Sequence, residues 1–181
     1  MKIQLAQPAD FAAILQLQAR YHLSALPETT LEQGFVTTQL DGETLAQMHE
    51  QRAIWIARSD NGELAAYACA VEWEFYVYSR FVEAVFARLP LPLGEQTVTA
   101  DNSFIYGPAC IDERFRGGDI LPALTEAIRA RYSNHRAFGV CFIDARNARS
   151  LAAHERKLGF TRVAELPFAD VIYHMLAFGT A

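Results

Sequence analysis

Phe104-Ile105-Tyr106-Gly107-Pro108-Ala109-Cys110-Ile111-Asp112-Glu113-Arg114-Phe115-Arg116-Gly117-Gly118-Asp119-Ile120-Leu121-Pro122-Ala123-Leu124 is the stretch on which the reading of this chain turns. Its opening run, 104–111, is apolar, rich in aromatics and of strand length. Residues 112–118 form a polar turn carrying two arginines and two glycines. Ile120, Leu121, Leu124, Ala127 and Ile128 then recur at helical spacing, with Glu126 ahead of Arg129 and Arg131 as the helix dipole favours. The order is strand, glycine-rich turn, helix. The first N–H groups of a helix have no partner within it, and with the dipole behind them they suit a phosphate. Gly117 and Gly118 let the backbone come close to an anion, and Arg116 can add a forked cationic donor. Taken alone, the stretch also reads as a solvated turn at a helix start.

Downstream, 138–144 is a second apolar strand, followed by Ala145-Arg146-Asn147-Ala148-Arg149-Ser150-Leu151-Ala152-Ala153-His154-Glu155-Arg156-Lys157-Leu158-Gly159-Phe160. Gly159 suits the left-handed residue that ends a helix. The two stretches together resemble motifs A and B of the GNAT family, the GCN5-related N-acetyltransferases. Motif A runs as a strand, then Arg/Gln-x-x-Gly-x-Gly/Ala, then a helix; Arg116, Gly117, Ile120, Ala123 and Leu124 fall on matching positions. Asp119 stands where the family has its second Gly, and Leu121 where it has the last Gly or Ala. Asp119 either faces the phosphates or caps the helix, which would put Pro122 at the third helical position. In motif B, Asn-x-x-Ser opens a short helix that closes on Leu-Gly-Phe. The segment 147–159 is one residue longer than the commonest spacing.

The rest of the chain follows the family's order. Residues 3–5 are a short strand. Pro8-Ala9-Asp10 then starts a helix through about Leu23, with Asp10 as its N-cap. Residues 43–51 form a second helix. Residues 53–58 and about 64–73 form a hairpin around Asn61-Gly62. Segment 74–100 reads as an insertion, with a helical period over 78–89 and a polar loop over 97–102. Strands at 160–165 and 171–176 complete the set. The implied fold is α/β (α+β), a mixed, largely antiparallel central sheet flanked by helices, in one GNAT-like domain over 1–181.

Composition narrows the function classes. A chain of 181 residues is long enough for a substantial core. A net charge of −5 argues against broad nucleic-acid binding, though not against a local anion site. No apolar run is long enough to span a membrane. Cys69, Cys110 and Cys141 lie in apolar runs without paired spacing, which suggests buried thiols in a reducing cytoplasm rather than disulfides or a metal site.

What the resemblance implies is an N-acetyltransferase that passes the acetyl group of acetyl-CoA to a primary amine of a small molecule or peptide, by direct transfer in a ternary complex, without a metal. The backbone of Cys110, Ile111 and Asp112 would hold the pantetheine arm. Arg116, Gly117, Gly118, Asp119, Ile120 and Leu121 would hold the pyrophosphate. Asn147 and Ser150 would lie near the thioester. Tyr21, His22 and Phe35 are candidates to line the acceptor pocket. The family often has a Tyr four residues before the motif B Gly that gives a proton to the departing thiolate. That position here is Glu155, and the extra residue could bring His154 to the same place. A histidine titrates near ~6.5, which suits a donor. Tyr106 is the alternative donor and Tyr173 a third. Glu72, Glu74 or Asp101 could act as base through water. The resemblance also suggests a homodimer, with 74–100 and the last strand as candidate surfaces. Two other readings stay open: a non-catalytic acyl-CoA-binding module, motivated by Asp119 and Leu121, and an unrelated α/β nucleotide-binding domain.

Overall fold

The computed structural model describes residues 1–181. Its strands are β1 (Lys2–Leu5), β2 (Ile54–Arg58), β3 (Leu64–Val71), β4 (Leu91–Leu93), β5 (Gln96–Val98), β6 (Ser103–Ile111), β7 (Phe138–Asp144), β8 (Thr161–Phe168) and β9 (Val171–Gly179). Its α-helices are α1 (Phe11–Tyr21), α2 (Gly42–Glu50), α3 (Arg80–Phe86), α4 (Ile120–Tyr132) and α5 (Ala148–Ala152). Seven strands form one sheet in the order β1-β2-β3-β6-β7-β9-β8, and β4 and β5 form a separate hairpin. β6 and β7 pair in parallel, with Ser103, Phe104 and Ile105 opposite Phe138, Gly139 and Val140. The pairs β1–β2, β2–β3, β7–β9 and β8–β9 are antiparallel. The mixed, largely antiparallel sheet flanked by helices expected from the sequence is the one that forms. No helix is long and apolar enough to cross a membrane.

The chain divides into two compact units, 1–70 with 107–128, and 71–106 with 129–181. In the first, β3 is buried along its whole length, which is why Leu-Ala-Ala-Tyr-Ala-Cys-Ala-Val is continuously apolar rather than alternating. Gly62, at φ +84°, closes the β2–β3 turn. Asp10 plays a different part from the one expected. Its carboxylate accepts from the Gln7 N–H at 2.7 Å and pairs with Arg58, closing the 3-10 turn Pro8–Asp10, and it makes no side-chain bond into α1. The helix itself stops at Tyr21. Asp41 caps α2 by accepting from the Thr44 N–H at 2.8 Å.

In the second unit, Trp73 donates its indole N–H to Ser103 Oγ at 3.1 Å. Ser79 caps α3, and Phe81 on α3 meets the rings of Phe142, Phe168 and Tyr173 edge-on. The polar loop read over 97–102 is partly strand: Val98 pairs with Leu91 and both are buried, which is enough to fix a three-residue ladder. β9 has partners on both edges, so a dimer joined strand-to-strand through the last strand is excluded. The edge strand is β8, where Arg88 donates to the Glu165 carbonyl at 2.9 Å.

Two local constraints in this unit carry predictions. A Cβ on Gly139 would lie 2.2 Å from Cζ of Phe178 and 2.9 Å from Cζ of Phe104. These are rigid rings in a packed core, so Gly139→Ala should destabilise the protein by about 1–3 kcal/mol, read as a lower Tm. The β8–β9 turn holds Ala169 at φ +49° and Asp170 at φ +62°. A two-residue hairpin turn with both φ values positive prefers Asn-Gly. Ala169→Asn combined with Asp170→Gly should therefore stabilise by about 1 kcal/mol, raising Tm by roughly 2–4 °C in a melting experiment.

Candidate active site

In the first unit the candidate site is the turn that follows β6. Asp112 is fully buried. Its Oδ1 accepts from the backbone N–H of Arg114 at 3.1 Å and from Arg114 Nε at 3.0 Å, and its Oδ2 from another nitrogen of that guanidinium at 2.9 Å. Arg20, on α1, pairs with the same oxygen at 3.0 Å. The fork from Arg114, with the charge of Arg20 behind it, holds the Asp112 carboxyl down at about 2 against the opposing effect of burial. Arg114 also pairs with Glu63. Tyr21 accepts the Glu113 N–H at 2.9 Å, and its ring lies 4.6 Å beneath the Arg116 guanidinium.

Of the residues read as cofactor contacts, 110–112 and 116–121 lie here, and several of their backbone and side-chain groups are already engaged. The Asp112 N–H donates to Ala65 O at 2.9 Å. Arg116 donates from Nε to Ile111 O at 2.9 Å and from the guanidinium terminus to Gln33 O at 2.7 Å. Arg116 thus binds the turn to its surroundings through two carbonyls. Cys110 is buried, and its thiol is pushed up to about 12 by that burial. Gly117 sits at φ +91°, where an L side chain is strained. The Asp119 carbonyl accepts from the Ala123 N–H at 2.9 Å, the first intrahelical bond, so Asp119 occupies the N-cap position with its side chain exposed. Pro122 falls at the third helical position, and Ile120 and Leu121 are buried. The three residues proposed for the acceptor pocket have packing duties: Phe35 is buried, Tyr21 carries the turn, and His22 caps the following 3-10 turn and reaches Thr37 O.

In the second unit Asn147 caps α5, its Oδ1 accepting from the Ser150 N–H at 3.1 Å. The helix widens after Ala152 into a π-turn, Ala153–Lys157. Leu158 N–H reaches Ala153 O, and Phe160 N–H reaches His154 O. A π-turn is a single wider turn within a helix, and this one lies inside 147–159, the segment that the resemblance makes one residue longer than the commonest spacing. Gly159, at φ +69°, ends it. His154 is buried, not on an outer face. Its Nδ1 is 2.7 Å from the Ser150 carbonyl oxygen and 3.4 Å from Ser150 Oγ. The rings of Tyr106 and Phe160 pack against it at 5.8 and 5.4 Å. Tyr106 also meets Phe160 and Phe178, which stack at 4.0 Å.

So Tyr106, Asn147, Ser150 and His154 lie together, and Glu155 stands apart, its carboxylate engaged by Arg162 at 2.9 and 3.1 Å. Tyr173 is opposite Asp144 in the ladder, with its hydroxyl pushed up by burial and by the Asp144 charge. Glu72 is paired with Arg136 at 2.8 Å, and Glu74 and Asp101 are exposed. Sequence reasoning missed Arg20, Arg114 and Arg146. Asp144 repeats the Asp112 arrangement: its Oδ1 accepts from the Arg146 N–H and Nε, and its Oδ2 from the same guanidinium at 2.6 Å. The signal was an Asp-x-Arg after each of the two apolar strands.

No family model matches the sequence, and no curated protein matches it. Solved structures do. The chain is similar to yncA of Salmonella typhimurium, a structure containing its cofactor acetyl-CoA, at 16% identity and a TM-score of 0.65, covering 100% of this chain and 94% of that one. It is similar to the ribosomal-protein-alanine N-acetyltransferase of Brucella melitensis, at 18% identity and 0.62, covering 99% of each. An N-acetyltransferase of Staphylococcus aureus matches at 16% identity and 0.62, covering 99% and 98%. The chain has the fold of the GNAT acetyltransferases.

The Asp112 geometry predicts a pH signature. Because its folded pKa lies below the unfolded value near 3.8, its contribution is full above that value and is lost as pH falls toward about 2. Asp112→Asn should therefore lower Tm at neutral pH, and the gap from the parent should close between about pH 4 and 2 in parallel thermal melts.

Proposed function

We propose that the chain is an acetyl-CoA-dependent N-acetyltransferase that moves the acetyl group to a primary amine of a small molecule or peptide, by direct transfer within a ternary complex. The observation that carries this reading is the turn at 116–121. It couples a strand to the N-terminus of a 13-residue helix, with a left-handed glycine at its centre. The likeness in fold to acetyltransferases, and to a structure containing acetyl-CoA, supports the same reading. The turn is built for an anion: the first N–H groups of α4 and its dipole favour a pyrophosphate, and the buried side chain of Leu121 is directed to packing. Asn147, Ser150 and His154 are the groups proposed to work at the thioester, with Tyr106 against the imidazole. Acyl transfer from a thioester needs the reactants held together, a neutral amine and a route for one proton. A homodimer is proposed through segment 74–100; light scattering near twice 20.2 kDa supports it, and a mass near 20.2 kDa refutes it.

Titration calorimetry with acetyl-CoA, followed by thiol release across a panel of amines, tests the activity. Binding with turnover is expected. No binding overturns the proposal, and binding without turnover on any amine favours an acyl-CoA-binding module. Gly117→Ala should weaken acetyl-CoA binding by about 1–2 kcal/mol, since its φ of +91° strains any L side chain. Unchanged affinity would remove the turn from the binding role.

A further inference from the structure

The surroundings of His154 fix which of its nitrogens is available and in what state. Nδ1 lies 2.7 Å from the Ser150 carbonyl oxygen. A carbonyl can only accept, so Nδ1 carries the hydrogen and donates it. The second nitrogen, Nε2, then presents a lone pair unless a second proton binds. Burial works against that second proton, with the Ser150 carbonyl offsetting part of the effect. The groups around the ring do little to reverse it. β6 contributes Tyr106, buried and 5.8 Å away. α5 contributes the uncharged Ser150 hydroxyl, and the chain entering β8 contributes Phe160. The guanidinium of Arg129 is two rings away, over Phe178, which stacks on Phe160. The π-turn at Ala153–Lys157 holds the imidazole in this place. An imidazole that starts neutral must take up a proton before it can give one to the departing thiolate, the donor role the sequence suggested for it.

Resting on the acetyl-transfer reading above, we infer that Nε2 of His154 is a base and relay, taking a proton from the acceptor nitrogen and returning it to the thiolate sulfur. The amine enters in its neutral form. As its nitrogen bonds to the thioester carbonyl carbon, Nε2 accepts one N–H proton and the imidazole becomes cationic. As the carbon–sulfur bond breaks, the electron pair leaves with sulfur and the same proton passes to it. The products are an amide and a free thiol, with the imidazole neutral again, so atoms and charge balance. The thiol being formed has a pKa near ~8.5, above that of the imidazolium, so the second transfer runs downhill.

Nitrogen-15 NMR of the histidine side chains in the full chain without ligand, with His154 assigned by the signal lost in His154→Gln, is the first arm of the test. The expected result is the neutral tautomer protonated at Nδ1, with Nε2 titrating below ~6.5. A tautomer protonated at Nε2, or an imidazolium at pH 7, overturns the relay. The second arm is kinetic, with rates expressed per neutral amine. kcat should rise with pH through the value found by NMR, and His154→Gln and His154→Asn should each lower kcat by roughly 10²-fold with acetyl-CoA affinity unchanged. His154→Asn is included because its side-chain amide can keep the bond to the Ser150 carbonyl, which separates loss of the base from loss of packing. If the parent turns over and both variants retain its kcat, the relay falls while the acetyl-transfer reading stands. If the parent neither binds acetyl-CoA nor turns over, that reading fails and takes the relay with it.

Discussion

The buried carboxylate of Asp112 is the interaction on which the first unit depends. An ionised carboxylate with no exposed surface is tolerable only when it is paired and hydrogen-bonded. Here Arg114 supplies a fork from the turn itself and Arg20 a second cation from α1. Pairing with Arg20 fixes the C-terminal end of α1 at the end of β6. The next residue, Tyr21, then accepts the Glu113 N–H and lies under Arg116, whose own donors hold the carbonyls of Ile111 and Gln33. The left-handed conformation at Gly117 is therefore not a loose loop. The residue before it, Arg116, is held by the Tyr21 ring and by the carbonyls of Ile111 and Gln33.

The second unit is organised by ring packing rather than by charge. Phe104 stacks on Tyr132 at 3.8 Å, Phe160 stacks on Phe178 at 4.0 Å, and Gly139 leaves the gap that Phe178 and Phe104 fill. Stacked rings with no room for a Cβ are incompressible neighbours. They give the end of the motif B helix a fixed wall, and Tyr106 and Phe160 present that wall to His154. The environment is apolar, so the ionisation of the imidazole is set by burial and by one backbone carbonyl rather than by nearby charge.

Much of this was legible in the sequence, and the failures are informative. The strand–turn–helix of 103–132 could be read because its apolar residues recur at period 3.6 and its turn has glycine where φ is positive. The β2–β3 hairpin was legible from Asn61-Gly62. The β4–β5 hairpin was not, because a three-residue ladder has too few positions to show a period of two. Nothing local in the sequence says that two of the Arg116 nitrogens find carbonyls, one of them 83 residues away in the chain. Asp10 was read as a cap of α1 because an acidic residue before an apolar period looks the same whether its carboxylate bonds forward or back. The length of 147–159 could be counted, but the π-turn within it depends on the backbone and left no periodic mark in the sequence.

The π-turn segment bears on the proposed chemistry as well as the geometry. A tyrosine has a pKa near ~10, so at neutral pH it holds its proton, and it can give that proton to a thiolate but cannot first take one from an amine. A neutral imidazole can do both in sequence, because its conjugate acid is more acidic than the thiol it must protonate. Substituting His for Tyr at the same backbone position would not reproduce the tyrosine's reach, since the imidazole is shorter. In this chain His154 lies within the π-turn and has Nδ1 on the Ser150 carbonyl. The Ser150 carbonyl sets the tautomer, and in the proposed relay the tautomer decides which nitrogen would carry a proton from one reactant to the other.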